Sequence, residues 1–179
     1  MINDYEATKP VTTDAEVSTT QETDSNDTVI SKLNNLIQVC RDGQEGFKAA
    51  SEGIERSNLK TTFYEFSQQR AEFTGVLQEL VRSLGGDPEN GGSFTGAVHR
   101  GWMDIKSIVT GKDEEAILNE CERGEDAAKA AYTDALSGGL PANVADIVAQ
   151  QSHAILAAHN KIKELRDTER ANSAATGNR

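Results

Sequence analysis

From Thr28 onward, apolar residues recur at steps of three and four: Val29, Leu33, Leu36, Ile37, Cys40, Phe47 and Ile54. That spacing is one helix face turned inward, and it predicts a first long helix over about 28–54. The second segment is stricter. Leu59, Phe63, Phe66, Phe73, Leu77, Leu80 and Leu84 alternate in steps of four and three, with one slot taken by the charged Arg70, which predicts a helix over about 57–84. Gly85-Gly86-Asp87-Pro88 then supplies a left-handed cap and a proline that cannot continue the helix. Gly91-Gly92-Ser93 offers a loop and an N-cap, and Phe94, Val98, Trp102, Ile105 and Val109 predict a short amphipathic helix over about 93–109. Asp113 caps a third long helix with Ile117, Cys121, Ala128, Tyr132 and Ala135 inward, ending near Ser137-Gly138-Gly139. Pro141 opens the fourth, whose stripe of Val144, Ile147, Val148, Ile155, Ala158, Ile162 and Leu165 runs to about Asp167.

No strand-like alternation competes with these helices, and there is no internal repeat of 20 to 50 residues. The predicted class is all-α. Two tight helical hairpins joined by a long connection are what a ferritin-like four-helix bundle requires, with a crossover holding a short helix between the second and third long helices; an up-down-up-down bundle is the alternative. The bundle domain is expected over 28–167. Residues 1–27 and 168–179 carry too few apolar positions to offset the entropy of ordering them, and are expected to be disordered tails.

Charge narrows the partners. The net charge is −11, and the first 27 residues hold Asp4, Glu6, Asp14, Glu16, Glu22, Asp24 and Asp27 against Lys9 alone. An acidic chain with no Lys/Arg stripe repels phosphate backbones and anionic lipid, so nucleic acid and membrane surfaces are not expected partners. The start Met-Ile-Asn-Asp-Tyr-Glu has neither the basic nor the apolar part of a secretory signal, and no apolar run is long enough to span a bilayer. Cys40 and Cys121 lie far apart with no C-x-x-C, which suits a reducing compartment. The expected setting is cytoplasmic.

Four stretches then carry a resemblance: Asp42-Gly43-Gln44-Glu45-Gly46-Phe47, Leu84-Gly85-Gly86, His99-Arg100-Gly101-Trp102 and Glu122-Arg123-Gly124-Glu125-Asp126-Ala127-Ala128. Over about 28–167 the chain resembles an uncharacterised bacterial family, a ferritin-like four-helix-bundle domain of unknown function. The resemblance implies that fold and a bacterial, cytoplasmic setting. It implies no reaction.

Candidate chemistry centres on the middle of the stripes, where Gln44, Arg70, Glu125 and Gln151 occupy interior slots. A buried guanidinium demands a counter-ion and acceptors, so these four are expected to form a polar core network. The other reading has Arg70 snorkelling to water and Glu125 on a solvated face. A di-iron centre needs Glu-x-x-His on two helices, yet Gly96, Gln150 and Leu156 stand three residues before His99, His153 and His159. An improvised site for iron or manganese would have to draw on Glu45, Glu65, Glu72, Glu122, Glu125 and His153. His99, Arg100 and Trp102 form a motif on the crossover, read either as a ligand or partner surface or as a tryptophan packing on the bundle. The cysteines fall on opposite sides of the polar layer, out of disulfide reach. No Gly-x-Ser-x-Gly and no Cys–His arrangement points to a nucleophile. The expected function is therefore non-catalytic and without cofactor, acting by association with itself or with an unidentified protein as an accessory or stress-type factor. Phe73, Val76 and Val81 are the candidate exposed apolar face. A degenerate ferritin-like metal-binding or oxidoreductase protein is the alternative.

Overall fold

A computed structural model describes residues 15–88, 105–110 and 113–176; for 15–25 and for Lys106, Ser107, Thr110 and Thr176 it describes the backbone alone. The elements are α1 (Ala15–Gly53), α2 (Ser57–Ser83), the short α3 (Ile105–Thr110), α4 (Glu114–Leu136) and α5 (Ala142–Thr176). The described residues are all-helical, and the four long helices form a bundle.

The helix ends follow from local chemistry. At the end of α2, Gly85 takes φ +81°, its N–H donates to the Arg82 carbonyl, and the Gly86 N–H donates to the Val81 carbonyl at 2.9 Å. This pairing fills carbonyls that the helix leaves open, and the left-handed backbone suits glycine. Asp113 caps α4, its Oδ1 accepting from the Ala116 N–H at 3.2 Å. Pro141 leads into α5, and its carbonyl accepts from Val144 and Ala145.

Side chains at the ends fix direction. The Asn34 amide donates to the Asp87 carbonyl at 3.0 Å, so α2 ends beside the early turns of α1. Arg56, in the α1–α2 turn, pairs with Glu114 at 2.5 Å, so α4 starts at the opposite end. Lys32 donates to the Gly138 carbonyl where α4 finishes. Hence α4 runs antiparallel to α1 and parallel to α2, and the connection after Gly85 leaves one end of the bundle and arrives at the other. Its course through 89–104 lies outside the described residues. The later part packs Ile105, Ile108 and Val109 of α3 on α1 and α4. Around the bundle, α1 packs on α2 and α4, α5 packs on α4, and α5 touches α2 only lightly. That leaves α2 and α4 diagonal to each other.

The core has two apolar halves. One gathers Val29, Leu33, Leu36, Cys40, Leu77, Tyr132 and Val148; the other gathers Phe47, Leu59, Phe63, Ile117, Cys121 and Ile162. On α2 the inner line departs from the strict alternation: Leu59, Phe63, Arg70 and Leu77 are buried, but Ser67, Thr74 and Val81 complete the line while Phe66, Phe73, Leu80 and Leu84 are half-buried. A seven-residue repeat on a straight helix of 3.6 residues per turn drifts by about 20° per heptad, which carries the inner line from one set to the other. Val81 is therefore core rather than surface; of the three candidate surface apolars, Val76 is exposed and Phe73 is half-buried.

Both outer helices run past the apolar stripes. α1 begins at Ala15, ahead of Val29, and α5 continues beyond Asp167 to Thr176, where tails were expected. Beyond Asp167 polar pairs hold the extension: Glu169 with Arg56 at 2.5 Å, and Arg170 with Glu115 and Asn119 at 2.8 Å each. Apolar periodicity does not register such pairs.

Candidate functional site: a buried polar layer and the groove beside it

Between the two apolar halves stands Arg70, 1% exposed. Its Nη2 donates to both oxygens of Glu125, at 2.9 and 2.7 Å, across the diagonal from α2 to α4. Nη1 donates to the Gln69 Oε1 at 2.7 Å. The guanidinium carbon lies 5.8 Å from the Phe47 ring centre and 5.5 Å from that of Phe73, so aromatic faces support the cation where water does not. Space for the arginine comes from α1: a Cβ placed on Gly43 would sit 3.5 to 3.7 Å from the Arg70 Cγ, Cδ and Nε. Backbone oxygens take the neighbouring hydroxyls, Ser67 donating to the Gln44 carbonyl and Thr74 to the Arg70 carbonyl, both at 3.0 Å.

A second strand of the layer runs through Tyr132. Its hydroxyl donates to the Gln151 Oε1 at 2.7 Å, so toward Cys40 Sγ, 3.2 Å away, the phenol oxygen accepts and the thiol donates. The Gln151 amide nitrogen reaches the Phe73 carbonyl at 3.5 Å. The polar side chains that the helices turn inward here each find a protein partner, although the Nε of Arg70 is left without one.

Burial dominates the ionisation of these groups. It raises the Glu125 carboxyl above its ordinary value, opposed by the Arg70 guanidinium and more weakly by His159 and Lys129. It pushes the Cys40 thiol up to about 11 and the Cys121 thiol well above the usual thiol value. The Tyr132 phenol is likewise pushed up by burial, with Cys40 adding to the effect. A thiol held in its neutral form is a poor nucleophile, so neither cysteine is set up for covalent chemistry.

Of the four residues expected in the network, Arg70 and Glu125 meet directly, whereas Gln151 bonds to neither and pairs instead with the Tyr132 hydroxyl and the Phe73 carbonyl. Gln44 does not join by its side chain: the position facing Arg70 is Gly43, and Gln44 contributes its carbonyl to Ser67. One residue of helix phase accounts for the difference. Glu45, Glu65, Glu72 and His153 are exposed, Glu122 pairs with Arg166, and Glu125 is taken by Arg70. Among the described residues no group of three or more His, Cys, Asp or Glu side chains is placed to hold a metal ion. His99, Arg100 and Trp102 lie outside the described residues. Cys40 and Cys121 are free and occupy different apolar halves, on either side of the layer.

Gln69 and Tyr132 carry much of the layer; the pattern places Tyr132 inward without a part in the network and does not single out Gln69. Tyr132 had a signal, since a phenol on an inward stripe must find a partner for its hydroxyl. Gln69 had none, being the chain neighbour of Arg70 on the outer side.

Outside the layer, the light contact between α2 and α5 leaves a groove of about 390 Å³, lined by Gln69, Phe73 and Val76 on one wall and by Ile147, Gln151 and Ala154 on the other. Gln69, which accepts from Arg70, and Gln151, which accepts from Tyr132, belong to both groove and layer. Val76, 43% exposed, stands at its edge.

A four-helix bundle with a paired charge at its centre is thus the class that the fold and the site define. The chain belongs to the family described as "Domain of unknown function (DUF2383)", whose match covers residues 28–138, from the first inward turn of α1 through the end of α4. No curated protein matches the chain. Among the described residues no helix is long and apolar enough to cross a membrane.

Proposed function

We propose that this protein is a non-catalytic helical bundle that acts by association, taking an apolar ridge of a second copy or of another protein into the groove between α2 and α5. The observation that carries this reading is the groove itself, where Phe73, Val76, Ile147 and Ala154 offer apolar surface among amide side chains and the carboxylate of Glu72. Both walls are long helices, a rigid frame of the kind that accepts the apolar face of a partner helix. The thiols, held neutral, and the carboxylate tied up by Arg70 leave the layer suited to support rather than chemistry.

The test is sedimentation equilibrium over a wide concentration range on the wild type and on Val76→Glu, followed by photo-crosslinking from position 76 in cells. A concentration-dependent dimer abolished by Val76→Glu supports self-association. A wild-type monomer that yields one discrete crosslinked protein, identified and lost when Ile147 is also made charged, supports a separate partner. A monomer with no discrete adduct sinks the proposal.

A further inference from the structure

Gly43 faces Arg70 and Gly53 faces Val109, but Gly75, in the middle of α2, faces nothing: it is exposed, and a Cβ there would meet no atom within 4 Å. Glycine is disfavoured in a helix interior, and no contact within the chain requires one here. What the missing side chain does provide is room for a foreign backbone to come close. Gly75 stands at the edge of the α2–α5 groove, beside Val76 and one turn from both Glu72 and Glu79, so these four share one patch at steps of three and four.

The rim of the groove has one sign of charge. Glu65, Glu72 and Glu79 repeat every seven residues along α2, and all three are exposed. No lysine or arginine stands three or four places from Glu65 or Glu72, and Arg82 pairs only with Glu79, at 2.6 Å. On α5 the exposed Asp146 adjoins Ile147, and the stretch 142–160 holds neither lysine nor arginine. An apolar groove edged by carboxylates selects an apolar ridge edged by cations. The chain's own segments do not fit it. Residues 1–14 carry Asp4, Glu6 and Asp14 against Lys9, and a second copy brings a net charge of −11 and the same acidic row. The connection after α2 returns through α3, which packs on α1 and α4, the face of the bundle opposite the groove.

We propose that the groove's occupant is an amphipathic helix of another protein, its apolar stripe flanked by Lys and Arg, laid along α2 between Glu65 and Glu79 and passing closest to this chain at Gly75. The apolar stripe meets Phe73, Val76 and Ile147, and the flanking cations meet Glu65, Glu72 and Glu79. At a rise of about 1.5 Å per residue the acidic row is about 21 Å long, the length of a four-turn helix. This inference rests on the reading of the groove as a docking site and names the chemistry of what docks.

The test uses the nitrogen-15-labelled full chain and two synthetic helical peptides with one shared stripe of leucines at steps of three and four, flanked in one peptide by Lys and Arg and in the other by Glu. At physiological ionic strength the Lys/Arg peptide should bind at least about tenfold more tightly, shifting amides over 69–80 and 147–154. Glu72→Lys with Glu79→Lys should abolish that preference. Gly75→Gln should raise the folding equilibrium several-fold in urea and yet weaken the Lys/Arg peptide about tenfold, a pairing that a purely structural glycine would not give. Equal binding of the two peptides, shifts centred on another face, or undiminished binding by Gly75→Gln would overturn the proposal. Photo-crosslinking from position 76 separates it from the reading it rests on. An adduct to a second copy of this chain, or to a segment without an excess of Lys and Arg, overturns the proposal and leaves the groove reading standing. An adduct to a Lys/Arg-rich helical segment supports it even where the model peptides bind weakly, and no peptide binding with no adduct overturns both.

Discussion

Gly43 lies flat against the stem of Arg70, and that contact lets a guanidinium stand in the middle of the bundle. A Cβ at Gly43 would be in ordinary contact with Arg70, at 3.5 Å from Cγ, whereas one at Gly53 would overlap the Val109 side chain of α3, 2.6 Å from Cγ2. Gly43→Ala should therefore be neutral or stabilising by up to about 1 kcal/mol, through the helix preference of alanine. Gly53→Ala should cost about 1–3 kcal/mol and loosen α3. Urea melts of the two variants, with hydrogen exchange over 105–110, check both. Equal losses at the two glycines would count against the contact described.

The Arg70–Glu125 pair, 1% exposed on each side, predicts a lopsided mutant cycle. Arg70→Met alone leaves a buried carboxylate and Glu125→Leu alone leaves a buried guanidinium, each expected to cost about 3–5 kcal/mol. The double variant should recover most of that loss, because an apolar pair suits the surroundings that Phe47 and Phe73 already provide. Additive losses in chemical denaturation would mean that the two charges are not coupled. The pH dependence has a definite sign. Burial raises the Glu125 carboxyl, so the native state holds this proton longer than the unfolded chain does. Its contribution is present below the unfolded carboxyl value of about 4.3 and is lost as pH rises through the higher folded value. Relative to Glu125→Gln, wild-type stability should decline over that window and then level off. A rise instead would show that Arg70 outweighs burial.

Cys40 and Cys121 should be silent toward thiol reagents at pH 8 in the native protein and should both react in urea. The Cys40 thiol, pushed up to about 11, keeps its proton where an unfolded thiol at about 8.5 has lost it. Stability should therefore fall as pH rises through that interval, and Cys40→Ser should blunt the fall. A native thiol count of two at pH 8 would contradict the burial that raises both groups.

The sequence pattern located Arg70 because a single charge interrupts an otherwise apolar four-three alternation, and the interior slots of the facing helices pointed to Glu125. Gln151 was legible as a slot, though its link through Tyr132 was not. Gln44 was misread because the slot and its neighbour Gly43 differ by one residue, and an absent side chain leaves no mark in a hydrophobic pattern. The end of α5 escaped for a related reason: Arg56, Glu114, Glu169 and Arg170 hold the α5 extension by pairs distant in sequence.

The division of the core into two apolar halves bears on how the helices find their alignment. Leucine, isoleucine and valine stripes are tolerant, and a helix displaced along its neighbour by two turns would still meet apolar partners. Displacement would, however, carry Glu125 of α4 away from Arg70 of α2 and leave each charge against the hydrocarbon of one half or the other, a far costlier arrangement. The central pair thus selects a single vertical setting of diagonal helices that make little direct contact, and the α2 wall of the groove is tied to that setting through Gln69.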